Sequence, residues 1–360
     1  MYLARSSVWP AVLFCLLSGS GIAQNKKPNP DAGYLPIVAP EDNKKKKQSE
    51  ETQVLALPPE LPLAVSAETG RLAFQVTPLS AKGLLSQQTR EALKTLLHAR
   101  HETIVKLRAF VAGSGDLRRV GEITGEMFQE KHQALPALTV LQVGALPLEG
   151  AQVEIEATVE DRRAANPAGV AFFAAQAGAS VGEALEKLKS AMARAGMQPS
   201  DALLVTCFVS SLDEQRDVAG AMPANFPGAA LDWVQMQRAP VTPAAECEGT
   251  ARMRTAASSF SAQAALISAP EIVITGTQLA FGSQDSDLKL AFDRLEKALA
   301  GKNARLDHAA VSHLFVTSGE LIGRVSAMES ERSKGATTLL PVEALPSLDA
   351  SFGLDAIAVP

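Results

Sequence analysis

Three carboxylates stand at one recurring place in this chain. Glu156 follows Pro147, Glu248 follows Pro240 and Asp355 follows Pro346, each by eight or nine residues. A carboxylate at such a repeated position either serves acid–base chemistry in a cleft or pairs with a cation from a neighbouring element. The other chemistry-bearing residues form no comparable pattern. His98 and His101 flank a helix end, and His308 and His313 are five residues apart across a turn. Neither pair has the i, i+4 spacing of a helical metal site, so no metal is expected. There is no Gly-rich phosphate loop and no G-x-S-x-G elbow, and no cofactor is expected. Gly113-Ser114-Gly115-Asp116 reads as a tight loop plus a helix N-cap. Cys207 and Cys247 fall on different strands, where spacing alone does not set the separation a disulfide needs. Buried free thiols are the expectation for them, with a disulfide as the alternative.

Composition excludes several classes. The 360 residues are 46% hydrophobic and 20% charged, enough core material for two or three units. Lys and Arg number 34 against 39 Asp and Glu, a net charge of −5 that offers no basic field to nucleic acid. Two Trp and two Tyr are few for stacking bases. Three Cys are too few for a disulfide-stapled scaffold, and no apolar run reaches the ~18–20 residues that span a bilayer.

Residues 1–23 read as a signal peptide, and export to a periplasm or the exterior is expected. Arg5 gives a positive start, Val8 to Leu17 an apolar stretch of signal length, and Gly21 and Ala23 a small-residue cleavage site before Gln24. Leu13-Phe14 before Cys15 are too bulky for a lipoprotein signal, and a buried helix here must accommodate Pro10. Residues 24–61 read as a disordered linker. Its tract Asn25 to Gln53 has few apolar residues and no period. The run Lys44 to Lys47 fits a solvated linker, with contact to an anionic surface as the alternative.

From about Leu63 one pattern repeats three times: strand, helix, strand, helix, two strands. The first copy has a strand over 71–77, a helix over 86–98 with Ser86 as N-cap, and a strand over 104–112. A helix capped by Asp116 and strands near 138–145 and 151–158 follow. The second copy has a helix over 181–195 stopped by Gly196, a strand over 202–210, a helix from about Asp213, and strands near 230–238 and 245–253. The third has a strand over 271–277, a helix over 286–299 ended by Gly301, a strand over 309–317, a helix near 319–332, and strands near 337–344 and 351–359. Ala145-Leu146-Pro147 recurs as Ala344-Leu345-Pro346, with Arg238-Ala239-Pro240 between them. A period near 100 residues is that of whole domains, here 62–163, 164–258 and 259–360, not of a solenoid.

These residues resemble the RidA/YjgF (reactive intermediate deaminase, or L-PSP) family. The resemblance rests on Pro136-Ala-Leu-Thr-Val-Leu-Gln-Val-Gly-Ala-Leu-Pro147 and Val153-Glu-Ile-Glu-Ala157. Ala195-Gly196 before Ser200-Asp201, the strand Leu203 to Val209, and Asp355-Ala-Ile-Ala358 add to it. It implies an α+β, chorismate-mutase-like fold, a mixed sheet with two helices on one face, and a trimer with clefts between subunits. Three tandem copies then imply an intramolecular pseudotrimer, monomeric as a chain, because each sheet's uncovered face must be buried.

The resemblance also implies hydrolysis of 2-imino or enamino acids, gripped through an arginine in a Pro-Ala-Arg sequence. The matching positions here are Leu138, Leu231 and Thr337. Leucine donates no hydrogen bond, so a substrate carboxylate loses its partner. The acids Glu156, Glu248 and Asp355 persist; the family places such an acid near the cleft, whereas the simpler role is pairing between copies. Other departures are Gly121-Glu122-Ile123-Thr124 in the second helix and Thr275-Gly276 as the echo of an early Ser-Gly. The expectation is an exported protein binding small metabolites or a partner at inter-domain clefts, without standard deaminase activity. The alternative is an active imine or enamine hydrolase using Arg108, Arg238, Arg252 or Arg254, Arg238 facing solvent on the strand alternation. Ribonuclease activity, attributed to some relatives, is opposed by the acidic charge.

Overall fold

The computed structural model describes residues 57–98, 101–213, 220, 222–237 and 244–360. The expected signal peptide, the Lys44 to Lys47 run and Arg238 lie outside the described residues, as does most of the helix expected from Asp213.

The described chain begins with β1 (Ala64–Glu68), then β2 (Leu72–Val76), α1 (Leu85–Leu96), β3 (Glu102–Ala112), α2 (Leu117–Glu130), β4 (Ala137–Val143) and β5 (Val153–Asp161). Next come β6 (Val170–Gly178), α3 (Val181–Arg194), β7 (Ala202–Val209), a helical turn at Met222–Asn225, β8 (Ala230–Gln235), β9 (Ala245–Arg252), β10 (Ser259–Phe260) and β11 (Ala264–Ile267). The last stretch holds β12 (Glu271–Thr275), β13 (Gln278–Phe281), α4 (Asp285–Ala300), β14 (Ala309–Val316), α5 (Ile322–Ser330), β15 (Ala336–Pro341) and β16 (Ala350–Ala358).

Local chemistry explains where the helices start and stop. Asp116 accepts from the Arg118 N–H at 3.0 Å and caps α2 as expected, and Gly196 takes φ +79° just after α3. Two details differ from the sequence reading. α1 starts at Leu85 instead of being capped by Ser86, because Gln87 Oε1 reaches back to the Leu84 N–H at 3.0 Å. After α4, Gly301 stays right-handed and Asn303 supplies the positive φ of 60° that turns the chain.

Three sheets result: β2-β5-β3-β4, β10-β11-β6-β9-β7-β8, and β1-β12-β16-β14-β15 with β13 also on β16. In each, one pair is parallel (β3 with β4, β7 with β8, β14 with β15) and the rest are antiparallel. A register shift recurs at the same place in all three, between Ile104 and Lys106, Ala202 and Leu204, and Ala309 and Val311. Such a bulge re-aims the side chains that follow it. β1 pairs antiparallel with β12, Ala64 opposite Thr275, so the leading strand joins the sheet formed by the last part of the chain.

Strand β3 is buried along almost its whole length, and its two faces have different partners. Leu107, Ala109 and Val111 pack with Leu93, Val120, Ile123 and Phe128 of the helices covering the sheet. Phe110, on the opposite face, joins Phe208 and Phe315 from the other two sheets in a shared core. A second shared core draws Leu72, Phe172, Ile274 and Val311 from all three. The molecule is therefore a mixed α+β fold in which helices cover outer faces and three inner faces bury one another.

Candidate functional site

The three acids singled out from the sequence hold the same register. Glu156 lies opposite Arg108, Glu248 opposite Thr206, and Asp355 opposite His313. All three are buried, and they come together around one cavity of about 80 Å³ lined also by Lys106, Arg108 and His313. Ligand sites are commonly ~300 Å³ or larger, so this space suits waters better than a metabolite.

Each acid is engaged by cations or hydroxyls. Arg108 Nε donates to Glu156 Oε2 at 2.6 Å, and its Nη2 lies 2.7 Å from Glu248 Oε1. The Arg108 guanidinium also sits 5.3 Å and 5.6 Å from the ring centres of Phe110 and Phe208. Lys106 Nζ donates to Asp355 Oδ2 at 2.9 Å, to Thr139 Oγ1 at 2.6 Å and to the Thr275 carbonyl at 2.5 Å. His313 Nδ1 is 2.9 Å from Asp355 Oδ1, Thr139 donates to Asp355, and Thr206 donates to Glu156.

Electrostatics follow from this pairing. Burial opposes ionisation of Asp355, but Lys106, His313 and Thr139 outweigh it and hold the carboxyl far below the usual range. Burial is likewise outweighed at Glu248, by Arg108 and His313, and its pKa is lowered. Arg108 is raised, because Glu156 and Glu248 overcome its desolvation. Lys106 is lowered by burial, which Asp355 offsets only in part.

The three positions without the arginine also share a register: Leu138 opposite Leu107, Leu231 opposite Val205, Thr337 opposite Ser312. They lie away from the central acids. Leu138 lines a mostly apolar cleft of about 250 Å³ between β4 and the β12–β13 link, with Leu63, Leu279 and Pro346. Gly276 permits this closeness, since a Cβ there would meet the Leu138 carbonyl at 3.0 Å. Leu231 lines an open cleft of about 590 Å³ against Val76, Thr77, Pro78 and Leu79. Thr337 is covered: its N–H donates to the Ala262 carbonyl at 3.3 Å and its hydroxyl to Glu329 at 3.0 Å.

Sequence reasoning missed three residues. Arg118 lines the Leu138 cleft, largely exposed and 3.3 Å from Asp116. Glu154 lines the Leu231 cleft, and Asp232, next to Leu231, is its electrostatic partner. Both carboxyls are buried and bond to each other, and the Trp233 N–H also donates to Asp232. Burial and mutual repulsion raise Glu154, and burial and Glu156 raise Asp232. A signal for Glu154 was present: residues two apart on a strand share a face, so it points the same way as Glu156. Of the substitute arginines, Arg108 belongs to the central network. Arg252 donates to Asn166 at 2.9 Å and Arg254 to Asp201 at 2.6 Å. The Cys207 and Cys247 sulfurs, expected as free thiols, are bonded; the residues face each other across β7 and β9 with Cα atoms 4.1 Å apart.

The comparisons with known proteins bear on the first sheet. Residues 63–161 match the family described as endoribonuclease L-PSP, a span holding β1 to β5, the Leu138 position and Glu156. This segment is a member of the endoribonuclease L-PSP family. The RidA/YjgF resemblance of the sequence is the same relationship. Among solved structures, the chain is similar to a YjgF/YER057c/UK114-family member from Mycobacterium tuberculosis at 22% identity, covering 25% of this chain and 79% of that one, with a TM-score of 0.23. It is similar to yeast Mmf1 at 22% identity, covering 24% and 78%, and to the YjgF gene product of E. coli at 18%, covering 24% and 80%, each with a TM-score of 0.23. No curated protein matches the chain.

Proposed function

We propose that the chain is three tandem RidA-like domains forming an internal pseudotrimer that binds small molecules at its inter-domain clefts without deaminating 2-imino acids. One observation carries the reading: the three register-matched positions Leu138, Leu231 and Thr337 all lack a cation. The arginine deepest in the fold, Arg108, is committed to Glu156 and Glu248. Recurrence of the strand order and of the bulge supports the tandem origin. The bonded Cys207 and Cys247 support export to an oxidising compartment. Among the described residues no helix is long and apolar enough to cross a membrane.

The test is ammonia and keto-acid release from freshly generated 2-imino acids, by the wild type beside Leu138→Arg and Leu231→Arg. Background-level release by the wild type is expected. Turnover matching an arginine-bearing relative sinks the reading.

Arg118 favours a second reading, an imine or enamine hydrolase that grips the substrate carboxylate from the rim of the Leu138 cleft. Its exposed pair with Asp116 is weak enough to exchange for a ligand. Wild-type turnover that Arg118→Ala abolishes selects this reading over the first.

A further inference from the structure

We propose that His101, Glu102 and Asp161 form a site for a divalent transition-metal ion of the Zn²⁺ type, at the end of the first sheet and apart from the clefts. The sequence's histidine pairs gave no reason to expect a metal, but one histidine suffices where carboxylates complete the set.

The fold brings the three together. Glu102 opens β3 and Asp161 closes β5, and the two stand directly opposite each other in the ladder. Like charges so placed destabilise a strand pair unless a cation lies between them. His101 precedes β3, and its carbonyl accepts the Arg162 N–H at 3.3 Å, which ties its backbone to the end of β5. A ligand atom from each residue lies within 4.8 Å of the other two. His101 Nε2 is 3.2 Å from Glu102 Oε1 and 3.8 Å from Asp161 Oδ1. Donors held at ~2.0–2.2 Å by one Zn²⁺ stand about 3.0–3.5 Å apart, so modest side-chain rotations complete the set.

The surroundings suit a metal. His101 Nε2 is shielded from solvent and makes no hydrogen bond among the described residues, despite the carboxylate beside it. Gln75 Nε2 donates to Glu102 Oε2 at 2.6 Å, which orients that carboxylate with Oε1 toward the histidine. Arg163 is the internal rival: its Nε is 3.4 Å from Asp161 Oδ1 and its Nη2 is 3.8 Å from Glu102 Oε1. Its side chain is 68% exposed, so it gives way at little cost. An imidazole among carboxylates favours Zn²⁺ over Mg²⁺, which prefers oxygen ligands.

The shared scaffold does not explain the triad. Ile104, Ala202 and Ala309 precede the recurring bulge, with Val159, Ala251 and Ala358 opposite them. Two residues outward, where the first sheet has Glu102 and Asp161, the others have Ser200 with Met253 and Asp307 with Pro360. The place of His101 is taken by Pro199 and Leu306.

Isothermal titration of the whole chain, free of any histidine tag, with ZnCl₂ tests this, with MgCl₂ as the control cation. The expected result is saturable 1:1 binding of Zn²⁺ and none of Mg²⁺. His101→Gln and Asp161→Asn should each weaken Zn²⁺ about tenfold or more. Arg163→Gln removes the rival cation and should tighten it. Zn²⁺ should raise the melting temperature of the wild type and leave that of His101→Gln unmoved. No saturable Zn²⁺ heat with the wild type overturns the proposal and leaves His101 as a plain partner of the two acids. Unchanged affinity in a folded His101→Gln, or weaker binding in Arg163→Gln, overturns it as well.

Discussion

Arg108 on β3 and Glu248 on β9 belong to different sheets and meet at 2.7 Å in the buried centre of the molecule. The same guanidinium holds Glu156 of its own sheet. Lys106 makes the matching link to Asp355 on β16. One sheet therefore supplies both cations that tie the acids of all three, and the central charges bind the sheets together.

Removing the central guanidinium should be strongly destabilising. Arg108→Met leaves Glu156 and Glu248 buried without their cation, and breaking such a buried pair from one side costs about 3–5 kcal/mol. Chemical denaturation measures the loss. Arg108→Met combined with Glu248→Gln should lose less than Arg108→Met alone, since one stranded charge is gone. Equal or greater loss in the double variant contradicts a bridging role.

Stability should fall at both ends of the pH scale, for opposite reasons. Asp355 and Glu248 are held below their ordinary values, so their contribution is present above the unfolded carboxylate range near ~4 and is lost as pH falls below it. Glu154, Asp232 and Glu246 are held above theirs, Glu246 at about 7 through burial and Glu248. The folded state retains those protons while the unfolded state releases them, so stability is full below ~4 and declines as pH rises through the folded values. Glu154→Gln should flatten the decline above ~4 and leave the acid limb in place, as read by melting temperature against pH.

Reduction should weaken the second sheet. The Cys207–Cys247 bond closes a 40-residue separation between two central strands, and loops of that size contribute about 2–4 kcal/mol. Melting with and without a thiol reductant measures it, and the Cys207→Ala, Cys247→Ala double variant should ignore the reductant. A wild-type melt unmoved by reduction contradicts the bond.

Much of this fold was legible because its signals are local. Asp116 and Gly196 mark helix ends by side-chain and backbone chemistry, and the strand alternation of Ile104 to Ala112 carries through to its two packed faces. β1, β10 and β11 were not legible, since each is short and becomes a strand only by pairing with a distant partner. The site divided in the same way. The spacing of Glu156, Glu248 and Asp355 gave their equivalence, but whether they face a surface cleft or one another depends on how three sheets meet. Asp232 was invisible for a related reason: its partner Glu154 is 78 residues away on another sheet.

The closure of the leading strand onto the last sheet should keep the chain monomeric. β1 gives β12 a paired edge along Ala64 to Glu68, with Val65 opposite Ile274. The inner faces already bury Phe110, Phe208 and Phe315 completely, so little apolar inner surface is left to recruit a second chain. Light scattering after size exclusion should give the mass of one chain. Val65→Pro removes a donor from the β1–β12 ladder and should lower the melting temperature; deleting 57–68 should expose the β12 edge and promote association. A wild-type mass of three chains contradicts internal closure, and a fully monomeric deletion variant with unchanged melting contradicts the role given to β1.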